Sequence, residues 1–99
     1  AAVRSRVAQA RAAAAHRWEP HGFHTNAEVS GALLRRKFRL DTAAMAPLRT
    51  ALDRGLLSIR GANRTLRVAW TLSDLAGRTS PGLDEVSAAL SFRQAGAAR

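Results

Sequence analysis

The stretch that decides the fold is SIRGANRTLRVAWTLSDLAG, Ser58 to Gly77. At about 100° per residue, Ile59, Ala62, Leu66, Val68, Ala69, Leu72, Leu75 and Ala76 spread over an arc of roughly 200°, with Trp70 at its margin. An apolar arc that wide needs several neighbours to cover it, so the spacing predicts a helix over 58–76 at the centre of a bundle. Gly77 closes it. The remaining narrow face carries Arg60, Arg64, Arg67, Thr71, Asp74 and Arg78.

Upstream, Asp41 is suited to cap a helix that ends at Arg54, before Gly55, with Ala44, Met45, Leu48, Ala51 and Leu52 as its apolar stripe. Pro47 leaves two readings open. A helix starting after Asp41 loses the bond to the Ala43 carbonyl and bends; a later start puts Pro47 in the first turn. A short helical piece is read over Gly31 to Phe38, from Leu33, Leu34 and Phe38. A longer one is read over Val3 to Arg17, from Val3, Val7, Ala10 and Ala14. Pro20, Gly22 and Asn26 break the pattern between Trp18 and Ser30. Downstream, Ser80 and Pro81 form an N-cap and N1 pair, Asp84 and Glu85 suit a first turn, and Leu83, Val86, Leu90 and Phe92 form the packing stripe. No segment reads as a strand. The expectation is all-α: a small bundle of about four helices around a long central helix, with residues 1–99 as a single domain.

Composition narrows the chemistry. Sixteen Lys and Arg against 7 Asp and Glu give a net charge of +9, so polyanions are the expected partners, whether nucleic acid or nucleotide phosphates. The chain has no cysteine, which excludes disulfides, thiolate metal sites and a cysteine nucleophile. The longest purely apolar run, Ala12 to Ala15, is far short of a membrane span, and no basic-then-hydrophobic leader opens the sequence. A cytoplasmic setting with no membrane partner is expected.

Arg60, Arg64 and Arg67 stand at i, i+4 and i+7 on one helical face. Like charges at that spacing cost a few tenths of a kcal/mol per pair, so the cluster gains nothing for folding. Asp74 is the one acid on that face placed to offset it. Arginine's planar fork makes bidentate, charge-assisted bonds to phosphate oxygens, which gives the cluster a phosphate-facing reading. The other reading is a solvated face on a basic protein. His16, His21 and His24 lie in a loop setting without supporting carboxylates beyond Glu19 and Glu28, and read as loop histidines packing beside Trp18 and Phe23, not as metal ligands. The serines sit at helix ends and surfaces, where capping explains them, and no nucleophile–base pair is visible.

The same stretch, Ser58-Ile59-Arg60-Gly61 followed by Arg64-Thr65-Leu66-Arg67-Val68-Ala69-Trp70-Thr71-Leu72-Ser73-Asp74-Leu75-Ala76-Gly77, resembles a run in magnesium-chelatase-like competence ATPases of the ComM type. That run reads Ser-Ala-Arg-Gly, then Arg-x-Leu-Arg-Val-Ala-Arg-Thr-Ile-Ala-Asp-Leu-x-Gly. Arg4 to Arg11 resembles the family's leading helix, Asn26-Ala27 its connecting segment, and Leu83 to Arg93 its closing helix with an aromatic-Arg pair, here Phe92-Arg93. The resemblance implies the helical C-terminal lid of an AAA+ ATPase. Arg60 would then be the sensor-2 arginine that reaches the nucleotide γ-phosphate. Arg64 and Arg67 match further basic positions, candidates for phosphate or interface contacts. ATP and Mg²⁺ would be held mainly by a core domain, because this chain has no Gly-rich Lys-Ser/Thr phosphate loop. The partners implied are that core domain, neighbouring subunits of a ring, and DNA, with ATP-driven branch migration as the family's work. The sequence departs from the family at Trp70, where arginine is usual, at Phe38, where a smaller residue is common, and over Trp18 to His24.

Three functions follow. The lid reading supplies Arg60 to a nucleotide and expects an isolated domain that is monomeric and without ATPase activity or cofactor of its own. A second reading is an autonomous basic nucleic-acid-binding module using Arg4, Arg6 and Arg11 with the Arg35, Arg36, Lys37, Arg39 cluster. A third is a subunit-interface element with basic faces docked on acidic neighbours.

Overall fold

Five α-helices and one 3₁₀ turn follow one another in the computed structural model, which describes the backbone of residues 2–97 and the side chains of residues 2–92. Helix α1 spans Ala2–Trp18 and runs into the 3₁₀ turn Glu19–His21; α2 is Gly31–Arg35, α3 Thr42–Asp53, α4 Ile59–Leu75 and α5 Leu83–Ala97. Helix α4 packs against all four others, and α3 also packs against α5. The central position expected from its wide apolar arc is therefore observed, and no strand occurs among the described residues.

Local chemistry sets the boundaries. Side chains satisfy free N–H groups at three helix starts: Ser30 Oγ accepts from Leu33 N at 3.2 Å, Asp41 Oδ1 from Ala44 N at 2.8 Å, and Ser58 Oγ from Gly61 N at 3.0 Å. Gly55 and Gly77 end α3 and α4 with φ of 71° and 73°, a left-handed turn that glycine adopts without steric cost. Each is followed by a closing bond back into the helix, Leu56 N to Ala51 O and Arg78 N to Ser73 O, both 2.9 Å.

Helix α3 starts at Thr42, so Pro47 lies inside it and the later start does not occur. Helix α2 is shorter than expected. After Arg35 the chain tightens, Phe38 N bonding Leu33 O at 3.1 Å, and this turn swings the Phe38 ring onto Trp18. Helix α5 begins at Leu83, not at Pro81. Glu85 Oε1 reaches back to accept from Gly82 N at 2.8 Å, making Gly82 the cap, while Pro81 is buried in the preceding turn.

The apolar stripes need correcting at their ends. Ala10, Ala14 and Trp18 of α1 are buried, but Val3 is exposed. Arg6, Gln9 and Ala13 share a cleft with Asp74 to Arg78, so α1 runs antiparallel to α4 and its first turns reach past the end of that helix. Val3 is left 75% exposed there. On α5, Val86 and Ala89 are buried whereas Leu83 and Phe92 are exposed; the Arg93 side chain lies outside the described residues. On α4 the buried side holds Gly61, Ala62, Thr65, Leu66, Ala69, Trp70, Ser73 and Asp74, whereas Ile59 and Val68 face out.

Trp70 is therefore core rather than margin. It meets Trp18 edge-on at 5.4 Å between centroids, and Phe38 closes the trio at 4.6 Å from Trp18 and 6.2 Å from Trp70. The same buried cluster takes in Val29, Leu34, Leu48, Leu66 and Val86, all nearly inaccessible. Helix α4 is thereby held by α1 at one end and by the α2 connection at the other.

Candidate functional site

With Ser58 as N-cap, Arg60 is the second residue of α4 and stands exposed in its first turn. Among the described residues the ion pairs use Arg17 and Arg78, and Arg60 takes part in none. Arg64 follows one turn later on the same side, also exposed. Arg67 differs: it is half-buried, and its Nε donates to the Val29 carbonyl at 2.9 Å, fastening α4 to the segment before α2. The three arginines thus share a helix face but not an environment. Two project freely, and the third keeps only its terminal nitrogens for a ligand.

Asn63 lies on that face, next to Arg67. Its amide packs on Gly31, where an added Cβ would lie 2.2 Å from Nδ2, and its Oδ1 is buried without a partner among the described residues. Glycine at position 31 therefore lets the start of α2 approach α4 closely. Arg35 and Arg36 belong to the other end of α2. Arg35 Nε donates to the Gly31 carbonyl of its own helix at 3.1 Å, and Arg36 is exposed at the helix end. The contact between α2 and the arginine face runs through Gly31 and Val29, not through this pair.

Asp74 does not offset Arg67 or Arg78. It is buried, and both its oxygens receive the Arg17 guanidinium, one bond at 3.2 Å and one shorter. Arg78 pairs instead with Glu85 at 3.6 Å. Asn26 completes the buried network with all of its amide capacity engaged: Oδ1 accepts from Trp18 Nε1 at 2.7 Å and Arg17 Nη1 at 3.4 Å, and Nδ2 donates to Asp74 at 3.0 Å and Thr71 at 3.1 Å. Sequence reasoning missed this hub. Its one legible trace was an acid set among arginines, and the true partner is 57 residues away.

His16 and His24 are exposed, and His21 sets its ring edge against Phe38 at 5.2 Å. No group of three metal-ligating side chains occurs among the described residues, and no helix there is long and apolar enough to cross a membrane. The charged groups on the free face of α4 are guanidinium, with no carboxylate exposed among them. That suits phosphate oxygens and does not suit a magnesium ion, which takes oxygen ligands.

The comparisons agree with this architecture. Residues 1–93 match the family described as magnesium chelatase, subunit ChlI C-terminal. Uncharacterized proteins of Mycobacterium bovis and of two strains of Mycobacterium tuberculosis are 80% identical to this chain over 97 residues. The match takes in 98% of this chain but only 19% of each relative, so the chain spans about a fifth of the length of the curated relatives it matches. No solved structure matches it. An all-helical bundle built on one long central helix, carrying the Arg60 run and matched over residues 1–93, belongs to the magnesium chelatase ChlI C-terminal family, the helical lid of magnesium-chelatase-like AAA+ proteins.

Proposed function

We propose that this domain serves an AAA+ ATPase by presenting Arg60 to the γ-phosphate of a nucleotide bound on a separate core domain. The observation that carries the reading is the state of Arg60: in the first turn of the central helix, exposed, and free of any ion pair among the described residues. Arg17, Arg67 and Arg78 all have partners within the domain. A cationic fork held on a rigid helix without an internal partner is suited to an external phosphate. Mg²⁺ and the phosphate-cradling loop fall to the core, since the ligand set here contains no carboxylate. The bound nucleotide supplies the phosphoryl group; Arg60 orients it and neutralises its charge.

The test is ATP turnover by the full-length enzyme with Arg60→Ala beside Arg64→Ala. Arginine fingers set the upper scale of the loss at on the order of 10³ or more in rate, and an arginine that senses the nucleotide costs less. Equal rates for wild type and Arg60→Ala, or a loss reproduced in full by Arg64→Ala, removes the assignment. The isolated domain is expected to be monomeric and inactive towards ATP.

A DNA-processing role is the second part of the reading. It is favoured by the net charge of +9, by exposed Arg4, Arg6 and Arg11 on α1, and by the consecutive exposed Arg35, Arg36 and Lys37 with Arg39 beyond. Binding through such faces is weak and indifferent to sequence, with Kd of about 10⁻⁴ to 10⁻⁶ M. Tight binding to one sequence that persists in high salt would instead favour an autonomous DNA-binding module.

A further inference from the structure

The connector from Lys37 to Asp41 and the turn from Thr79 to Pro81 face each other across a groove of about 480 Å³, which Trp70 and Arg17 also line. Its polar equipment is almost entirely donors. Lys37 and Arg39 are exposed and enter no ion pair among the described residues, and the hydroxyls of Thr79 and Ser80 lie opposite. The one carboxylate in the lining, Asp41, has Oδ1 committed to the Ala44 N–H at 2.8 Å.

The two tryptophans of the core differ in one respect. Trp18 Nε1 donates to Asn26 at 2.7 Å, whereas Trp70, only 4% exposed, has its Nε1 buried with no acceptor among the described residues. A buried N–H without an acceptor is rare, because folding strips it of water and returns nothing. An occupant rich in acceptor oxygens would satisfy the indole, the hydroxyls and the two free cations together. We propose that this groove binds a phosphate group, held by Lys37 and Arg39 with Trp70 Nε1 as a buried donor. Phosphate fits better than a carboxylate because it offers more acceptor oxygens to a lining of this many donors.

The site is separate from Arg60 and does not rest on the lid reading. Trp70 is ten residues further along α4, about 15 Å by helix rise, so one phosphate cannot engage both. The phosphate can be free or part of a nucleic-acid backbone.

The two indole N–H signals of the ¹⁵N-labelled 99-residue chain make the test internal. The chain is titrated at constant ionic strength with inorganic phosphate and, separately, with a single-stranded oligonucleotide. The Trp70 signal should move downfield and exchange more slowly with water, while the Trp18 signal stays in place. Lys37→Ala/Arg39→Ala, two exposed changes that leave the core intact, should weaken the response about tenfold or more. For the oligonucleotide it should also lower the slope of log K against log salt by about two. Saturation by phosphate as readily as by oligonucleotide assigns the site to a free phosphate; tighter, steeply salt-dependent saturation by the oligonucleotide assigns it to a strand backbone. The proposal is overturned if Trp70 responds to neither, if its response survives the double substitution, or if polyglutamate moves it at lower concentration than either phosphate source.

Discussion

Arg17 and Asp74, 57 residues apart, join the last turn of α1 to the last turn of α4 through a two-pronged ion pair whose carboxylate is only 1% exposed. The guanidinium keeps 13% exposure and also lies over the Trp70 ring, 4.3 Å from its centroid. One side chain therefore neutralises the buried acid and packs on the core aromatic, by charge and by cation–π attraction. The helix that carries Arg60 is anchored to α1 by this pair.

Removing Arg17 strands a buried carboxylate with only Asn26 and solvent-poor surroundings. Arg17→Ala is expected to lower unfolding stability by about 3–5 kcal/mol, measured by chemical denaturation. In a double-mutant cycle, Arg17→Met with Asp74→Leu should cost clearly less than the sum of the single changes, since both charges leave together. Additive losses would mean that the pair contributes nothing as a pair.

Gly31 is a packing requirement rather than a turn residue. Gly31→Ala places a methyl 2.2 Å from Asn63 Nδ2, so α2 or the amide must move, at a cost of about 1–3 kcal/mol. Shortening the neighbour should relieve it: Gly31→Ala/Asn63→Ala is expected to be more stable than Gly31→Ala alone. A Gly31→Ala protein as stable as wild type by thermal melting would show that the approach of α2 to α4 is loose.

Glu85 accepts from the Gly82 N–H and faces Arg78 at 3.6 Å, and the two roles separate by substitution. Glu85→Gln keeps the acceptor and should lie within about 1 kcal/mol of wild type, because Arg78 is half exposed and such pairs contribute little. Glu85→Ala loses the cap and should cost roughly 0.5–2 kcal/mol. Equal losses for both would shift the weight to the ion pair.

Arg60 and Arg64 oppose each other at i, i+4 on an exposed face. Replacing either with alanine should leave the domain equally stable or a few tenths of a kcal/mol more stable. A drop in melting temperature for Arg60→Ala would reveal a partner within the domain and weaken its reading as a ligand for external phosphate.

The helices were legible because their signals are local. The Asp41 cap, the closing glycines at 55 and 77 and the wide apolar arc of α4 each act within a few residues, and all are found in place, whereas the cap expected at Ser80 falls instead on Gly82. Pro47 was readable as a conflict but not as a resolution, since its fate depends on whether packing around Ala44 and Leu48 holds the helix start at Thr42.

What the sequence by itself determined was the all-α class, the central place of the 58–76 segment, the family run around Arg60 and the net charge of +9. Tertiary structure alone decided which side of that segment turns inward. Hydropathy ranks Ile59 and Val68 above Thr65, Ser73 and Asp74, yet the first two face solvent and the last three are buried. For Thr65 and Asp74 the reason is that a polar side chain is buried at little cost once its bonds are met, whereas Ser73 Oγ is buried without a partner among the described residues. Thr65 Oγ1 finds the Gly61 carbonyl at 2.9 Å, and Asp74 finds Arg17 and Asn26. Tertiary contacts likewise separated three arginines that the helical wheel had made equivalent, taking Arg67 for the Val29 carbonyl and leaving Arg60 and Arg64 in the open. A wheel records the angle of a side chain about its own helix, but the acceptor that engages Arg67 comes from 38 residues away.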